Sequence, residues 1–445
     1  MLKNILEIFF TTILGKVFGF LKVVLLIQFF GTNALTDSLI IIISIYWFWS
    51  KIVIYSLFSV SLIPSLSKVK NEENEALLAL KTVQSVNFIT ILFFGIFVFF
   101  SKWVIRAFAP IDDSLFLEKS NELFLIMSPL LFLIPTTEVF TILNQYKRRM
   151  KVASINLTIW NIIQLVSIIM VFKLIKDEDK LILFFGLATV LGYTITSIIQ
   201  IYYSKVLRFV KVIEIFKISI PETKRIIKEN YLFFIASLLT QLNLYIDNYF
   251  ISSLDSGSVS KYNIIVKIPE LAQSLLISAI TVVFFNKIAE YDKEIKKIFY
   301  NFSILLIPVI LIVFLLSNFI GVDFLYLIYN KSAFQGIDGI RIKNILNVIV
   351  VNIFFTIGAS LLVKAYIVKN KKRFLLVGSA ISVLVNILAN YYLITSEGIY
   401  GIAIATLIAT YIFYSILISY YFKFNRYKIL GLILGFVLIL KFLEI

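Results

Sequence analysis

The chain predicts an all-α membrane protein of about twelve transmembrane helices, with a short thirteenth apolar segment, in two six-helix lobes around a central cavity. Three observations carry this reading. Of 445 residues, 60% are hydrophobic and only 15% charged, with a mean hydropathy of +0.96. Apolar runs of about 20 residues, the length needed to cross a bilayer, recur from end to end. Basic residues gather in alternate loops. A soluble domain of this length could not hide so much apolar surface.

Taken in order, the expected spans are 5–30, 38–63, 80–100, 121–144, 152–174, 181–204, 231–253, 262–286, 298–320, 344–366, 374–395 and 399–422. The opening Met1-Leu-Lys-Asn-Ile-Leu-Glu leads into an apolar stretch too long for a signal h-region and shows no small-residue cleavage site. It therefore reads as a retained first helix. Segment 429–443 carries Lys441 and is short for a span, so crossing and lying at the interface both stay open. Loops after even-numbered spans hold 26 of the 42 Lys and Arg, against 10 in loops after odd-numbered spans. Retention of positive charge on the inner side places the even loops and the N-terminus in the cytoplasm.

The longest cytoplasmic connection, 205–230, contains Lys211-Val-Ile-Glu-Ile-Phe-Lys217 and Pro221-Glu-Thr-Lys-Arg-Ile-Ile-Lys228. Both pieces read as amphipathic helix lying on the membrane surface. This linker separates lobes 1–204 and 231–422, and 423–445 forms a short apolar end. Repeated halves are a usual transporter plan.

Several functions are excluded by composition. The chain has no Cys and no His, which removes disulfides, Cys/His metal sites, His-assisted nucleophiles and His- or Cys-ligated haem. No phosphate-loop or dinucleotide fingerprint occurs, so no cofactor is expected. The net charge of +16 belongs to the cytoplasmic loops, and nucleic acid is not an expected partner.

Four lysines break the pattern. Lys16, Lys22, Lys51 and Lys267 fall inside spans, where each costs roughly 2.5–3.5 kcal/mol on insertion scales. Such residues face a protein interior or a wet cavity and point to the binding of something anionic. Removing any of them relieves that cost, so alanine variants should be no less stable than wild type. Gly15-Lys-Val-Phe-Gly19 offers a groove for a neighbouring helix. Lys16 and Lys22 lie about 240° apart around the helix and flank one broad face. Snorkelling to an interface is hard for Lys22, near the middle of its span. In Phe30-Gly31-Thr-Asn-Ala-Leu-Thr36-Asp37 the glycine makes a turn, and Thr36 or Asp37 can cap helix 2; Asp37 can also serve as an external gate partner for a lysine. The run Tyr46-Trp-Phe-Trp-Ser-Lys51 sits too deep for an interfacial belt. Lys267 and Glu270 are helical neighbours that can neutralise each other, and Pro269 between them can bend the helix. Glu138 and Asp247 are further acids for a coupling cation or proton, although both lie near expected helix ends, where capping or solvation serves equally well. No metal site is expected.

Two segments resemble the MurJ-type lipid II flippases of the multidrug/oligosaccharidyl-lipid/polysaccharide exporter superfamily. One runs from Gly15-Lys-Val-Phe-Gly-Phe-Leu-Lys22 through Phe30-Gly31 and Thr36-Asp37 to Pro64; the other is Ser256-Gly-Ser-Val-Ser260 followed by Lys267 and Glu270. Together they cover about a quarter of the chain. The resemblance implies a V-shaped cavity whose basic residues grip a lipid-linked pyrophosphate, with Lys16, Lys22 and Lys267 on the family's arginine positions and Asp37 and Glu270 on its acids. Every matched arginine is lysine here, Ser50-Lys51 replaces an arginine pair, Tyr55 replaces an acid, and the two last helices are absent or reduced to 429–443. The expected function is a monomeric flippase of the bacterial inner membrane. It would move an undecaprenyl-pyrophosphate glycan by alternating access without ATP, driven by the membrane potential or a coupling cation. Two rivals stay open: a cation-coupled multidrug exporter of the same superfamily, and a membrane polysaccharide polymerase or ligase. The exporter wants acids in its cavity, and the enzyme wants a large external loop.

The charge bias makes a topological prediction. Single cysteines at positions 149, 224 and 371 should label only from the cytoplasm, and those at 113, 257 and 336 only from outside. Labelling of 149 and 257 from one side would overturn the scheme.

Overall fold

The computed structural model describes residues 2–50, 62, 66, 69, 71–111, 113–175, 177, 180–290, 295–368, 372–423 and 426–443. Among these every regular element is helical. The chain divides into two compact units, Met1–Gln241 and Leu242–Ile445. The first holds α1 (Leu2–Phe30), α2 (Ala34–Ser50), α3 (Glu72–Phe99), α4 (Ser101–Phe108), α5 (Ser114–Ile126), α6 (Leu130–Tyr146), α7 (Met150–Ser154), α8 (Asn156–Met170), α9 (Lys180–Ser204), α10 (Val212–Ile215) and most of α11 (Ile220–Ser252). The second holds the end of α11, then α12 (Ser258–Glu290), α13 (Ile295–Tyr329), α14 (Gly339–Val368), α15 (Lys372–Glu397), α16 (Ile399–Tyr421) and α17 (Arg426–Phe442).

Among the described residues, eight helices are long and apolar enough to cross a bilayer, and the bent pair α5–α6 makes a ninth. Each expected span has a helix over at least part of its length, and α2 runs up to the edge of the undescribed residues 51–61. The chain is a multi-pass, all-α membrane protein.

Several boundaries differ from expectation, for local reasons. The span expected at 121–144 is two helices bent by 50°. Pro129 sits at the break, where it lacks a donor and disfavours helix at the residue before it. Residues 221–228 do not lie as a separate surface helix but form the first turns of α11. Pro221 occupies the first turn, where its missing N–H is harmless, and no Gly or Pro interrupts the run to Ser252. α13 extends to Tyr329, so the link expected at 320–343 shortens to 330–338. The amphipathic α4, between the third and fourth spans, was not expected; it leaves Trp103 exposed and carries Arg106 in its last turn. α17 has 17 residues, about 25 Å of helix.

Helix 2 is capped differently from either expectation. The Asn33 N–H donates to Thr36 Oγ1 at 3.0 Å, while the Thr36 N–H donates to Asn33 Oδ1 at 3.1 Å. This reciprocal pair has the logic of a capping box, with Asn33 at the cap and Thr36 three residues on. Gly31 (φ +75°) makes the preceding turn.

The first unit is built on close approach of α1 to α8. A Cβ at Gly15 would meet Leu157 Cγ at 2.9 Å, and one at Gly19 would meet Asn161 Nδ2 at 3.0 Å. The glycine groove read from the sequence therefore receives α8. In the aromatic run of α2, Tyr46 and Trp49 are buried and Trp47 and Phe48 half-buried. Trp49 is 5% exposed beside Phe93 and Phe97, and the Tyr46 hydroxyl donates to the Phe124 carbonyl at 2.6 Å.

Candidate functional site

In the first unit the close packing of α1 on α8 delivers Lys22 to a polar seam. Lys22 is 9% exposed; its Nζ donates to Gln164 Oε1 at 2.8 Å and Asn161 Oδ1 at 3.1 Å. The same ammonium lies 4.7 Å from the centre of the Trp160 ring, which supplies a cation–π contact. The seam continues on both sides. Asn161 Nδ2 donates to the Gly15 carbonyl at 2.9 Å, and Gln164 Nε2 donates to Thr189 Oγ1 of α9 at 2.6 Å. Lys22 thus faces the interior of its own unit, where two amide oxygens and an indole face meet its charge. Lys16, on the next turns of α1, is half-buried and outside this seam.

Asp37 is 1% exposed in the first turn of α2, so it does not stand as a surface cap. Its N–H donates to the Asn33 carbonyl at 3.0 Å. Glu138, expected near a helix end, is half-buried in the middle of α6, three residues after Pro135 and eight residues from either end of Leu130–Tyr146. A capping role for Glu138 is thereby removed. Lys51, Tyr55 and Pro64 lie outside the described residues.

In the second unit Lys267 and Glu270 pair on α12 at 3.3 Å, as their spacing predicts, with side-chain exposures of 31% and 51%. Pro269 lies within this helix. Asp247 differs from expectation: it is 6% exposed, more than a turn inside the end of α11, and neither solvated nor capping. Its Oδ1 accepts from Asn390 Nδ2 at 2.9 Å and Asn386 Nδ2 at 3.1 Å, both on α15. Its Oδ2 accepts from Thr406 Oγ1 of α16 at 2.8 Å. Among the described residues, Asn390 Oδ1 is buried without a hydrogen-bond partner. A carboxylate, two amides and a hydroxyl, all from interior helix faces, form an oxygen-rich cluster able to hold a hard cation when the amides turn their oxygens inward. Asn386, Asn390 and Thr406 were missed in the sequence, although Asn386 and Asn390 stand one turn apart in an apolar helix, which is a readable signal.

Residues 26–442 match the family model of the lipid II flippase MurJ. Among solved structures, the chain is similar to a lipid II flippase MurJ in an inward closed conformation: TM-score 0.79 and 20% identity, covering 99% of this chain and 92% of that one. It is also similar to a multidrug resistance transporter of the MATE family, of the MOP superfamily, in an inward-facing conformation, with TM-score 0.70 and 13% identity over 94% of this chain and 95% of that one. The outward-facing conformation of a MATE family multidrug resistance transporter gives a TM-score of 0.66 at 13% identity, over 97% and 96%. No curated protein is significantly similar to the chain in sequence.

The Lys22 seam changes one expectation. Lys22→Met removes a charge but strands the Asn161 and Gln164 oxygens, a loss of about 1–3 kcal/mol. Thermal unfolding in detergent should show a lower Tm for Lys22→Met and a wild-type Tm for Lys16→Met. Equal Tm values for both variants would remove the structural role of the seam.

Proposed function

The chain belongs to the lipid II flippase MurJ family, and we propose that it carries an undecaprenyl-pyrophosphate-linked glycan, lipid II or a surface-polysaccharide repeat unit, from the inner to the outer leaflet of the bacterial cytoplasmic membrane. Members of this family are transporters rather than catalysts. The observation that carries the reading is the retention of lysine within helices that otherwise read as bilayer spans. Lys267 keeps 31% of its side chain exposed beside Glu270, and Lys16 is half-buried. A cation kept at this depth is costly and marks an anion path.

The lysines take the pyrophosphate. An ammonium offers three rotatable donors as a point charge, where a guanidinium would fix two phosphate oxygens at once. Lysine therefore holds the cargo less rigidly, which suits a step that must also release it. Lys16 and Lys267 bind cargo in this account, and Lys22 supports α1 from behind. Asp37 and Glu270 act as charge partners that reclaim the lysines when the cargo leaves. Alternating access requires no nucleotide. The pyrophosphate carries about two negative charges, and a potential of 100 mV, negative inside, is worth roughly 2.3 kcal/mol per charge. Export then gains about 4–5 kcal/mol from the potential alone.

The Asp247 cluster favours a coupling cation as an addition to this scheme. With one carboxylate among neutral oxygen ligands, it suits a monovalent ion better than a divalent one. Entry of that ion would move charge in the same electrical sense as exit of the cargo.

Proteoliposomes loaded with a fluorescent lipid-linked glycan test the cargo assignment. Lys16→Ala and Lys267→Ala should each slow flipping about tenfold, the scale of a lost charge contact of roughly 1.4 kcal/mol, at normal expression. Asp247→Asn should abolish any dependence on the external cation. Wild-type rates in both lysine variants would show that the anion path lies elsewhere.

A further inference from the structure

A second basic site lies away from the intramembrane lysines, at the turn between α6 and α7 in the first unit. The turn is Tyr146-Lys147-Arg148-Arg149, and it is held by its own backbone. Arg148 N–H donates to the Gln145 carbonyl at 2.9 Å and Arg149 N–H to the Asn144 carbonyl at 2.8 Å, with Arg148 at φ +59°. The Tyr146 hydroxyl donates to the Leu66 carbonyl at 3.1 Å and anchors the start of the turn. These bonds fix where the three basic side chains begin. Together with Glu72 and Glu75 from the start of α3, the turn lines a pocket of about 470 Å³.

The charges in this pocket do not balance. Lys147, with 8% of its side chain exposed, pairs with Glu75 at 3.3 Å. Glu72 is exposed in the first turn of α3, where the helix N-terminus favours its charge. Among the described residues Arg148 and Arg149 have no acid to pair with, and Arg149 Nη1 is buried without an acceptor. A guanidinium cannot shed its proton in a protein, so neutralisation is not open to it. What the site lacks is an oxyanion, and a forked guanidinium beside an ammonium is matched to the tetrahedral oxygens of phosphate.

We propose that this pocket binds a phosphate group, with Arg149 as the principal donor, Arg148 as a second, and Lys147 shared between the ligand and Glu75. Two sources offer that chemistry on the face carrying the basic loops: the headgroup of an anionic bilayer lipid and a free inorganic phosphate. The site is independent of which glycan is carried.

Full-length protein in nanodiscs separates the two sources. In one arm inorganic phosphate is titrated against phosphatidylcholine nanodiscs. In the other, native mass spectrometry counts phosphatidylglycerol retained from mixed nanodiscs. Arg149→Gln should weaken binding at least fivefold in the arm that reports the true source, whereas Lys102→Gln on α4 should change neither arm. Glu75→Gln should strengthen binding about twofold by releasing Lys147. Loss confined to the inorganic phosphate arm assigns a free phosphate, and loss in the lipid arm assigns a headgroup. Binding that ignores Arg149→Gln in both arms, or falls equally with Lys102→Gln, overturns the proposal. Should Arg149→Gln fail to fold, Glu75→Gln decides alone: unchanged or weaker binding overturns it.

Discussion

The interior of a bilayer supplies no water, and that single constraint organises this protein. Any amide, carboxylate or ammonium inside the spans must find a partner in the chain or in a ligand. Lys22 finds two amide oxygens and an indole face. Asp247 finds two amides and a hydroxyl. Lys267 pairs with its helical neighbour Glu270 and stays partly open. The gradient runs from side chains that hold helices together to one that keeps part of its surface open, and the proposed cargo binding rests on the open end of it.

Much of the fold was legible because apolar length and glycine spacing are local signals. The spans, the Gly15–Gly19 groove against α8 and the Lys267–Glu270 pair all follow from residues close together in sequence. Boundaries failed where one residue outweighed the hydropathy pattern. Pro129 divides an otherwise apolar run, and Asn33 takes the cap from Thr36 by bonding reciprocally with it. The polar clusters were the least legible. Lys22 reaches partners 139 and 142 positions away, and Thr406 lies 159 positions from Asp247. Composition marked both charges as exceptional, but only packing shows what each one touches.

Lysine where the family resemblance implies arginine would shift the proposed chemistry in a definite direction. Arginine would fix pyrophosphate by paired bonds, while lysine attracts it with less geometric demand. On the proposed reading, the positions that remain basic would preserve attraction, and the change would lower the cost of release. On the same logic, the arginines of the α6–α7 turn suit the tighter, more static binding of phosphate proposed for them.

The central claim is that negative charge crosses outward with the cargo, so the membrane potential itself drives the step. Flipping of a fluorescent lipid-linked glycan in proteoliposomes, under an imposed potassium diffusion potential with pH and sodium gradients held at zero, measures this directly. The account predicts that the rate rises as the compartment holding the cargo is made more negative and falls when an ionophore collapses the potential. A rate that ignores the potential and follows a proton or sodium gradient instead would contradict it.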